Sequence, residues 1–339
     1  LLGHDSPYAA QPSGWIDDRA KLIHRKWSPA TMAALDAARQ AVADAGWSAD
    51  DLRDAALVLG TSRGNAAGWL SPWPGRRPFK LMAASNTIHS EPAAAITIEL
   101  GIHGPYQVLA SGCSAGLDAA GLAAMMVNSG VAPRALVVAV DLPLVPFLLD
   151  GYAASGLLAR DFRNDPYADG TSGFIPAEGA AAMTIEPARD GHPRLLDYRA
   201  NSDACDPVGM PADGGRTVDL LAAAVATFGR PQAVCPHTTG TKVQAVAEPA
   251  AFRRVFPDGS PTLHPLKPFT GHTIGASGLV ETAICAAFLR ERMLPPNLPG
   301  LTAPSPFHLP AAATEARGPL FKLSHSMGGH NALLVLSPP

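Results

Sequence analysis

The sequence has little charge, no block of one sign, no paired cysteines and no long apolar run. Charged residues make up 16% of its 339 positions, against a usual share of about 25%. Lys and Arg number 26 and Asp and Glu 29, for a formal net charge of -3. So few charges exclude disorder, a nucleic-acid-binding tail and a coiled coil, and nothing marks a polyanion as partner. No stretch approaches the roughly 18 uninterrupted apolar residues that span a bilayer. The first thirty residues are too mixed and polar for a signal peptide, although the sequence starts at Leu1 and not at Met. Cys113, Cys205, Cys235 and Cys285 are widely spaced with no CxxC pair. They form neither a disulfide framework nor a zinc site, which leaves a reducing cytoplasm as the expected compartment. No Walker-type run and no GxGxxG opening a helix is present, so a nucleotide cofactor has no support. What is there is 47% hydrophobic residues with 32 Gly and 33 Pro. That is too much Gly and Pro for a helical bundle, and it fits a compact α/β body of one or two domains.

Ser28-Pro29 ahead of residues 30–45, with Gly46 behind them, predicts a helix with an N-cap, a Pro at its first position and a Gly stop. Buried strands are expected at 55–60, 107–110, 135–140 and 180–185, with helices at 85–100 and from about 115 to 129. A loop rich in Pro, Trp and Arg fills 71–80. The second half repeats the theme: helices at 217–228, 247–255 and 275–291, and strands at 231–236, 321–324 and 332–336.

Cys113 is the sharpest local feature. In Ser111-Gly112-Cys113-Ser114-Ala115-Gly116 a strand enters a tight turn, the thiol stands at its apex, and a helix of small residues begins. A helix start offers unpaired N–H groups and partial positive charge, which favour thiolate and can hold an oxyanion. A buried structural cysteine fits the same pattern, so the turn alone leaves both readings open. The other three cysteines read as structural. His237, in Pro236-His237-Thr238-Thr239-Gly240-Thr241, and His272, in Thr270-Gly271-His272-Thr273-Ile274-Gly275, occupy strand-to-helix loops dense in Gly and Thr. With Cys113 they suggest a Cys-His-His site. Metal is not expected, since no HxxxH or HxxE spacing occurs and carboxylates nearby are few. Lys267, five residues before His272, is a candidate fixed charge in the same pocket. Glu248 is expected at a helix start, and the loop Ser324 to Asn331 carries Gly328 and Gly329, which can aim N–H groups into a pocket.

Taken in order, these runs resemble the motifs of the β-ketoacyl-acyl-carrier-protein synthases, the condensing enzymes of fatty-acid and polyketide assembly. Val108 to Gly116 looks like their nucleophile motif, His237 to Thr241 like HGTGT, Lys267 to Gly275 like KSxxGHxxGA, and Ser326 to Asn331 like their Gly-rich C-terminal loop. Gly60-Thr61-Ser62 and Asp169 to Gly179 match further stretches. The resemblance implies a thiolase fold: two similar halves, here 1–186 and 187–339, each with a mixed five-stranded sheet, together an αβαβα five-layer sandwich. It implies that Cys113 carries the acyl group and that His237 and His272 bind the malonyl thioester carbonyl. Lys267 would orient His272 or a carboxylate. The backbone N–H groups of Cys113 and Met327 would form an oxyanion hole, with Glu248, Gly328 and Gly329 in support. No metal or organic cofactor is implied, because the phosphopantetheine arm arrives on an acyl carrier protein. A dimer across 106–110 is implied, either homodimer or heterodimer with a second ketosynthase-like chain. Arg76, Arg77 and Lys80 are candidates for carrier docking.

The sequence departs from the family pattern in ways that favour a specialised polyketide or polyene pathway over primary metabolism. The usual first strand is absent or very short. Thr238 replaces a Gly, Ala245 an acid, and His325 and Met327 replace two Phe. The expected reaction is decarboxylative Claisen condensation of a Cys-bound acyl group with a malonyl carrier. The alternatives are acyl transfer without decarboxylation, a non-catalytic chain-length-factor-like subunit, and thioester hydrolysis.

Overall fold

The computed structural model describes residues 2–3, 11–66 and 85–339. The expected docking residues Arg76, Arg77 and Lys80 lie outside these. Helix α1 (Pro29–Ala45) forms as the sequence predicts: Ser28 caps it by accepting from the Thr31 N–H, and Gly46 ends it in the left-handed region at φ 66°. The first sheet comprises β1 (Ala56–Gly60), β2 (Tyr106–Leu109), β3 (Ala135–Asp141) and β4 (Gly179–Ile185) in the order β2-β1-β3-β4. β1 is parallel to β2 and β3, and β4 runs antiparallel to β3. Among the described residues this sheet has four strands, not the expected five.

Between these strands lie α2 (Glu91–Leu100), α3 (Ala115–Asn128) and α4 (Pro146–Ala154). α2 starts six residues later than expected; Pro92, which has no N–H to donate, sits in its first turn. The second sheet has five strands: β5 (Arg194–Ser202), β6 (Ala233–Cys235), β7 (Thr262–Leu263), β8 (Leu320–Ser326) and β9 (His330–Ser337), in the order β5-β9-β8-β6-β7. Its helices are α5 (Thr217–Phe228), α6 (Lys242–Val255) and α7 (Ser277–Arg290). α6 begins five residues earlier than predicted, capped by Thr241, and it continues through Pro249.

The apolar clusters order these elements into layers. α1 and α2 pack on one face of the first sheet through residues such as Leu35, Ile96, Leu57 and Val138. On its other face Val58 and Val137 meet Leu117 of α3 and Leu279 of α7, and the same cluster reaches Ala332 and Leu334 of the second sheet. Phe252 of α6 and Leu221 of α5 cover the far side with Phe321 and Val335. The result is the five-layer αβαβα sandwich, with α3 and α7 as its central layer. These two helices touch closely because of paired glycines. A Cβ on Gly116 would stand 2.9 Å from the Gly275 carbonyl oxygen, and one on Gly278 would stand 2.6 Å from the Leu117 nitrogen. Both helices start at this contact, so the turn before α3 and the loop before α7 are held against each other.

Candidate active site

β2 ends at Leu109, Gly112 adopts φ 62°, and one 3-10 turn (Gly112–Ser114) leads into α3. Cys113 stands in that turn, half-buried. Its backbone N–H lies in the first turn of a helix, where no helical partner exists. Below the turn, buried Asp118 accepts from Ser111 Oγ and from the Tyr198 hydroxyl at 2.9 Å, with His330 Nε2 at 3.0 Å. That carboxylate raises the pKa of His330.

The second half brings two histidines to the thiol. The Cys113 sulfur and one ring nitrogen from each of His237 and His272 lie within 4.8 Å of one another. The imidazole centroids are 5.4 Å apart with planes at 85°. His237 follows β6, and its loop is fixed by Glu248, which accepts the His237 N–H at 2.6 Å, the Thr238 N–H at 3.2 Å and the Tyr167 hydroxyl at 2.9 Å. Glu248 therefore does not sit at a helix start, as the sequence suggested. It lies in the second turn of α6, fully buried, and serves the histidine loop. Thr238, in the Gly position of the resembling motif, has φ 43°. The departure there is one of backbone strain, about 1–2 kcal/mol for an L-residue in this region, more than of side-chain crowding.

Lys267 is fully buried and donates to Glu281 at 2.6 Å, while its Nζ lies 3.4 Å from His237 Nδ1. It reaches His237, whereas the expectation put it against His272 or a carboxylate; the carboxylate it meets is Glu281. An ammonium only donates, so His237 Nδ1 is the acceptor and the ring proton resides on Nε2. Lys322, in the middle of β8, is also fully buried and lies 2.7 Å from the other oxygen of Glu281. Ser277 holds His272 Nδ1 at 2.8 Å. Asp141, at the end of β3, ties the His272 loop to the first half. It accepts Gly275 N–H at 2.7 Å, Ser62 N–H at 2.8 Å, Arg63 N–H at 3.1 Å and Thr61 Oγ1 at 3.0 Å. Burial pushes Asp141 up to about 6 against these hydrogen bonds. Asp141, Ser277, Glu281, Lys322 and Ser326 were missed in the sequence. The signal for two of them is a charge inside a mostly apolar run: Lys322 in 320–323 and Glu281 in 279–289.

The electrostatics run one way. Burial, reinforced by the charge of Lys267, holds His237 and His272 well below the ordinary imidazole range, so both are neutral hydrogen-bonding groups near pH 7. Burial also pushes the Cys113 thiol up to about 11; Lys267 and Arg63 oppose this and Asp141 adds to it. Loss of water is the largest influence on the thiol, and it runs against the thiolate that a helix start favours. A metal ion would find three N and S donors here, but it would also meet the Lys267 ammonium 3.4 Å from His237. That charge opposes a cation.

Cys113, His237 and His272 share a cavity of about 430 Å³ with Phe174, Met210 and Met327. Met327 is exposed at the hairpin between β8 and β9, where Gly328 and Gly329 take φ 86° and 75°. His325 is buried, with Nδ1 2.7 Å from Asn331 Oδ1 and its ring 5.6 Å from His237.

Comparison with known proteins identifies the family and the fold. Residues 14–191 match the model of the β-ketoacyl synthase N-terminal domain, and residues 193–300 that of the C-terminal domain. The chain is 27% identical over 332 residues to the highly reducing polyketide synthase sphB of Aspergillus fumigatus, covering 89% of this chain and 13% of that protein. It is 25% identical over 365 residues to 3-oxoacyl-[acyl-carrier-protein] synthase 2 of Staphylococcus aureus, covering 97% and 88%. The chain thus spans a small part of the fungal synthase and most of the bacterial enzyme. A type II polyketide ketosynthase bound to a hexaketide, in complex with its acyl-carrier protein, superposes with TM-score 0.84 over 100% of this chain and 91% of that one. At 21% identity that likeness speaks for the fold. With 178 of 339 residues under the N-terminal model alone and the C-terminal model following it, the chain belongs to the β-ketoacyl synthase family.

Proposed function

We propose that this chain is an acyltransferase of the 3-oxoacyl-carrier synthase type, condensing a Cys113-bound acyl group with a malonyl group on an acyl carrier protein. The observation that carries the reading is the convergence of Cys113 with two neutral imidazoles within 4.8 Å. In the first step the Cys113 sulfur attacks the acyl thioester, the bond to the phosphopantetheine sulfur breaks, and the thiol proton leaves on that sulfur. A thiol held near 11 beside two poorly basic imidazoles favours such a direct exchange over attack by a standing thiolate. The N–H groups of Cys113 and Met327 hold the transient oxyanion.

In the second step the malonyl C–CO2 bond breaks and the electron pair moves onto the thioester carbonyl. His237 Nε2–H, set by Lys267, and His272, set by Ser277, donate to that oxygen. The enolate then attacks the acyl carbon, and Cys113 leaves as the thiolate and takes a proton from water. Neutral donors suffice because loss of CO2 generates the carbanion equivalent without a strong base. Gly328 and Gly329 support the loop that carries Met327.

The two halves, 1–186 and 187–339, divide the labour, the first supplying Cys113 and the second both histidines. The acyl carrier protein brings the phosphopantetheine arm. β2, an edge strand with Tyr106 exposed, is the face for a homodimer or for a heterodimer with a ketosynthase-like chain. His325 and Met327 in the Phe positions favour a specialised pathway, and the unpaired cysteines favour the cytoplasm. Incubation with an acyl carrier and a malonyl carrier tests the reading. It predicts a β-ketoacyl carrier two carbons longer, with CO2 released, and neither from Cys113→Ala. Transfer of the acyl group to another acceptor without CO2 would point to a non-decarboxylating acyltransferase.

A further inference from the structure

The turn that carries Cys113 is closed by its own backbone from Gly112 to Ala115, whose N–H donates to the Gly112 carbonyl, and its entry is held by a side chain from the second half. In a four-residue turn over 111–114, the Ser111 carbonyl would ordinarily accept from the Ser114 N–H. Here the Ser326 hydroxyl from the second half stands between them: it donates to the Ser111 oxygen at 2.5 Å and accepts from the Ser114 N–H at 2.8 Å. Two residues earlier on the same strand, Ser324 Oγ donates to the Cys113 carbonyl at 3.1 Å. Gly112 makes room for this, since a Cβ there would lie 3.3 Å from Ser326 Oγ. Ser326 is buried and directly precedes Met327.

We propose that Ser326 is a positioning residue, a hydroxyl latch that bridges the entry of the nucleophile turn and fixes it against the hairpin bearing Met327. Its one hydroxyl satisfies both groups at the entry of the turn, so the Cys113 sulfur and N–H keep a set position relative to the Met327 N–H. Without it, the Ser111 carbonyl and Ser114 N–H either tighten on each other, rotating Cys113, or lose the partner that ties the turn to the second half. Misplacement of a reacting group by about 1 Å costs on the order of 100-fold in rate. The proposal rests on Cys113 as the acyl acceptor, but only its acylation readout requires that.

The test uses Ser326→Ala, with Ser326→Thr as the variant that keeps the hydroxyl, in the full chain. Two rates are followed: Cys113 alkylation by iodoacetamide, which needs no acyl substrate, and Cys113 acylation by an acyl carrier protein. The latch predicts that Ser326→Ala acylates about 10- to 100-fold more slowly with unchanged KM for the carrier and an altered alkylation rate, while circular dichroism stays that of wild type. Ser326→Thr should recover part of the loss. Wild-type alkylation and acylation rates in a folded Ser326→Ala would overturn the latch. An altered alkylation rate with no acylation of either protein would uphold it and reject the condensing reading instead.

Discussion

Replacing Glu281 by Gln removes the charge on which the buried cations of the site depend. Glu281 is 1% exposed and Lys267 and Lys322, within 2.6 and 2.7 Å of its two oxygens, are 0% exposed. Burial lowers Lys267, the charge of Lys322 adds to this, and Glu281 opposes it. Burial also works against Lys322, but Glu281 and Cys235 raise it nonetheless. Removing one partner of a buried pair costs about 3–5 kcal/mol. The alternative is to discharge one lysine, which from an ordinary pKa of about 10.4 costs about 4.6 kcal/mol at pH 7. The two figures agree, so Glu281→Gln is expected to lose about 4 kcal/mol at neutral pH, with Lys267 the residue that discharges.

The sign of the pH dependence follows. Lys267 would be neutral in the folded variant and charged in the unfolded one, so the unfolded state binds the extra proton. The variant's stability then rises with pH by about 1.4 kcal/mol per unit until the unfolded lysine itself titrates near 10.4. Urea unfolding of wild type and variant at about pH 7 and about pH 9.5 measures this, and the gap between them should shrink by more than half at the higher pH. A gap that is equal at the two pH values, or below about 1 kcal/mol at pH 7, would refute the reasoning.

Three further outcomes follow from the same geometry. His237→Ala and His272→Ala should each slow release of CO2 from a malonyl carrier by about 100- to 1,000-fold, while Cys113 acylation stays within about tenfold of wild type. Equal losses in both half-reactions would contradict the assignment of the imidazoles to the malonyl carbonyl. Because burial raises the Cys113 thiol to about 11, its alkylation by iodoacetamide should rise about tenfold per pH unit from neutrality towards that value; a plateau near the ordinary thiol value of about 8.5 would contradict it. Gly275→Ala would place a Cβ 2.4 Å from the Ser62 nitrogen and 2.5 Å from Asp141 Oδ2. The expected cost is about 1–3 kcal/mol in the urea midpoint, as for other overpacked sites.

The parts of this molecule that sequence made legible are those whose signal is local. Ser28, Pro29 and Gly46 mark both ends of α1, and the apolar run of β3 needs only its own residues to read as a buried strand. Cys113, His237 and His272 were identifiable because each stands in a Gly-rich loop between a strand and a helix. What stayed hidden is what these loops touch. Asp141 meets Gly275 across 134 positions, and Ser326 meets Ser114 across 212. Nothing near Asp141 or Ser326 in the chain announces such a partner. The Cys113 environment was misjudged for a related reason. A helix start is visible in sequence, but the burial that opposes it is a property of the packed halves. Glu248 reads as a helix start because the helix is expected only from residue 247, yet α6 begins at Lys242 and runs on through Pro249.

Intact-protein mass spectrometry of a single turnover is the most direct test of the central claim that Cys113 holds an acyl group which a malonyl carrier then consumes. Wild-type protein incubated with an acyl carrier protein should gain the mass of one acyl group, mapped to Cys113 and absent from Cys113→Ala. Addition of malonyl carrier should return the protein to its starting mass as the two-carbon-longer β-ketoacyl carrier appears. An acyl adduct on any other residue, or identical masses for wild type and Cys113→Ala throughout, would contradict the account.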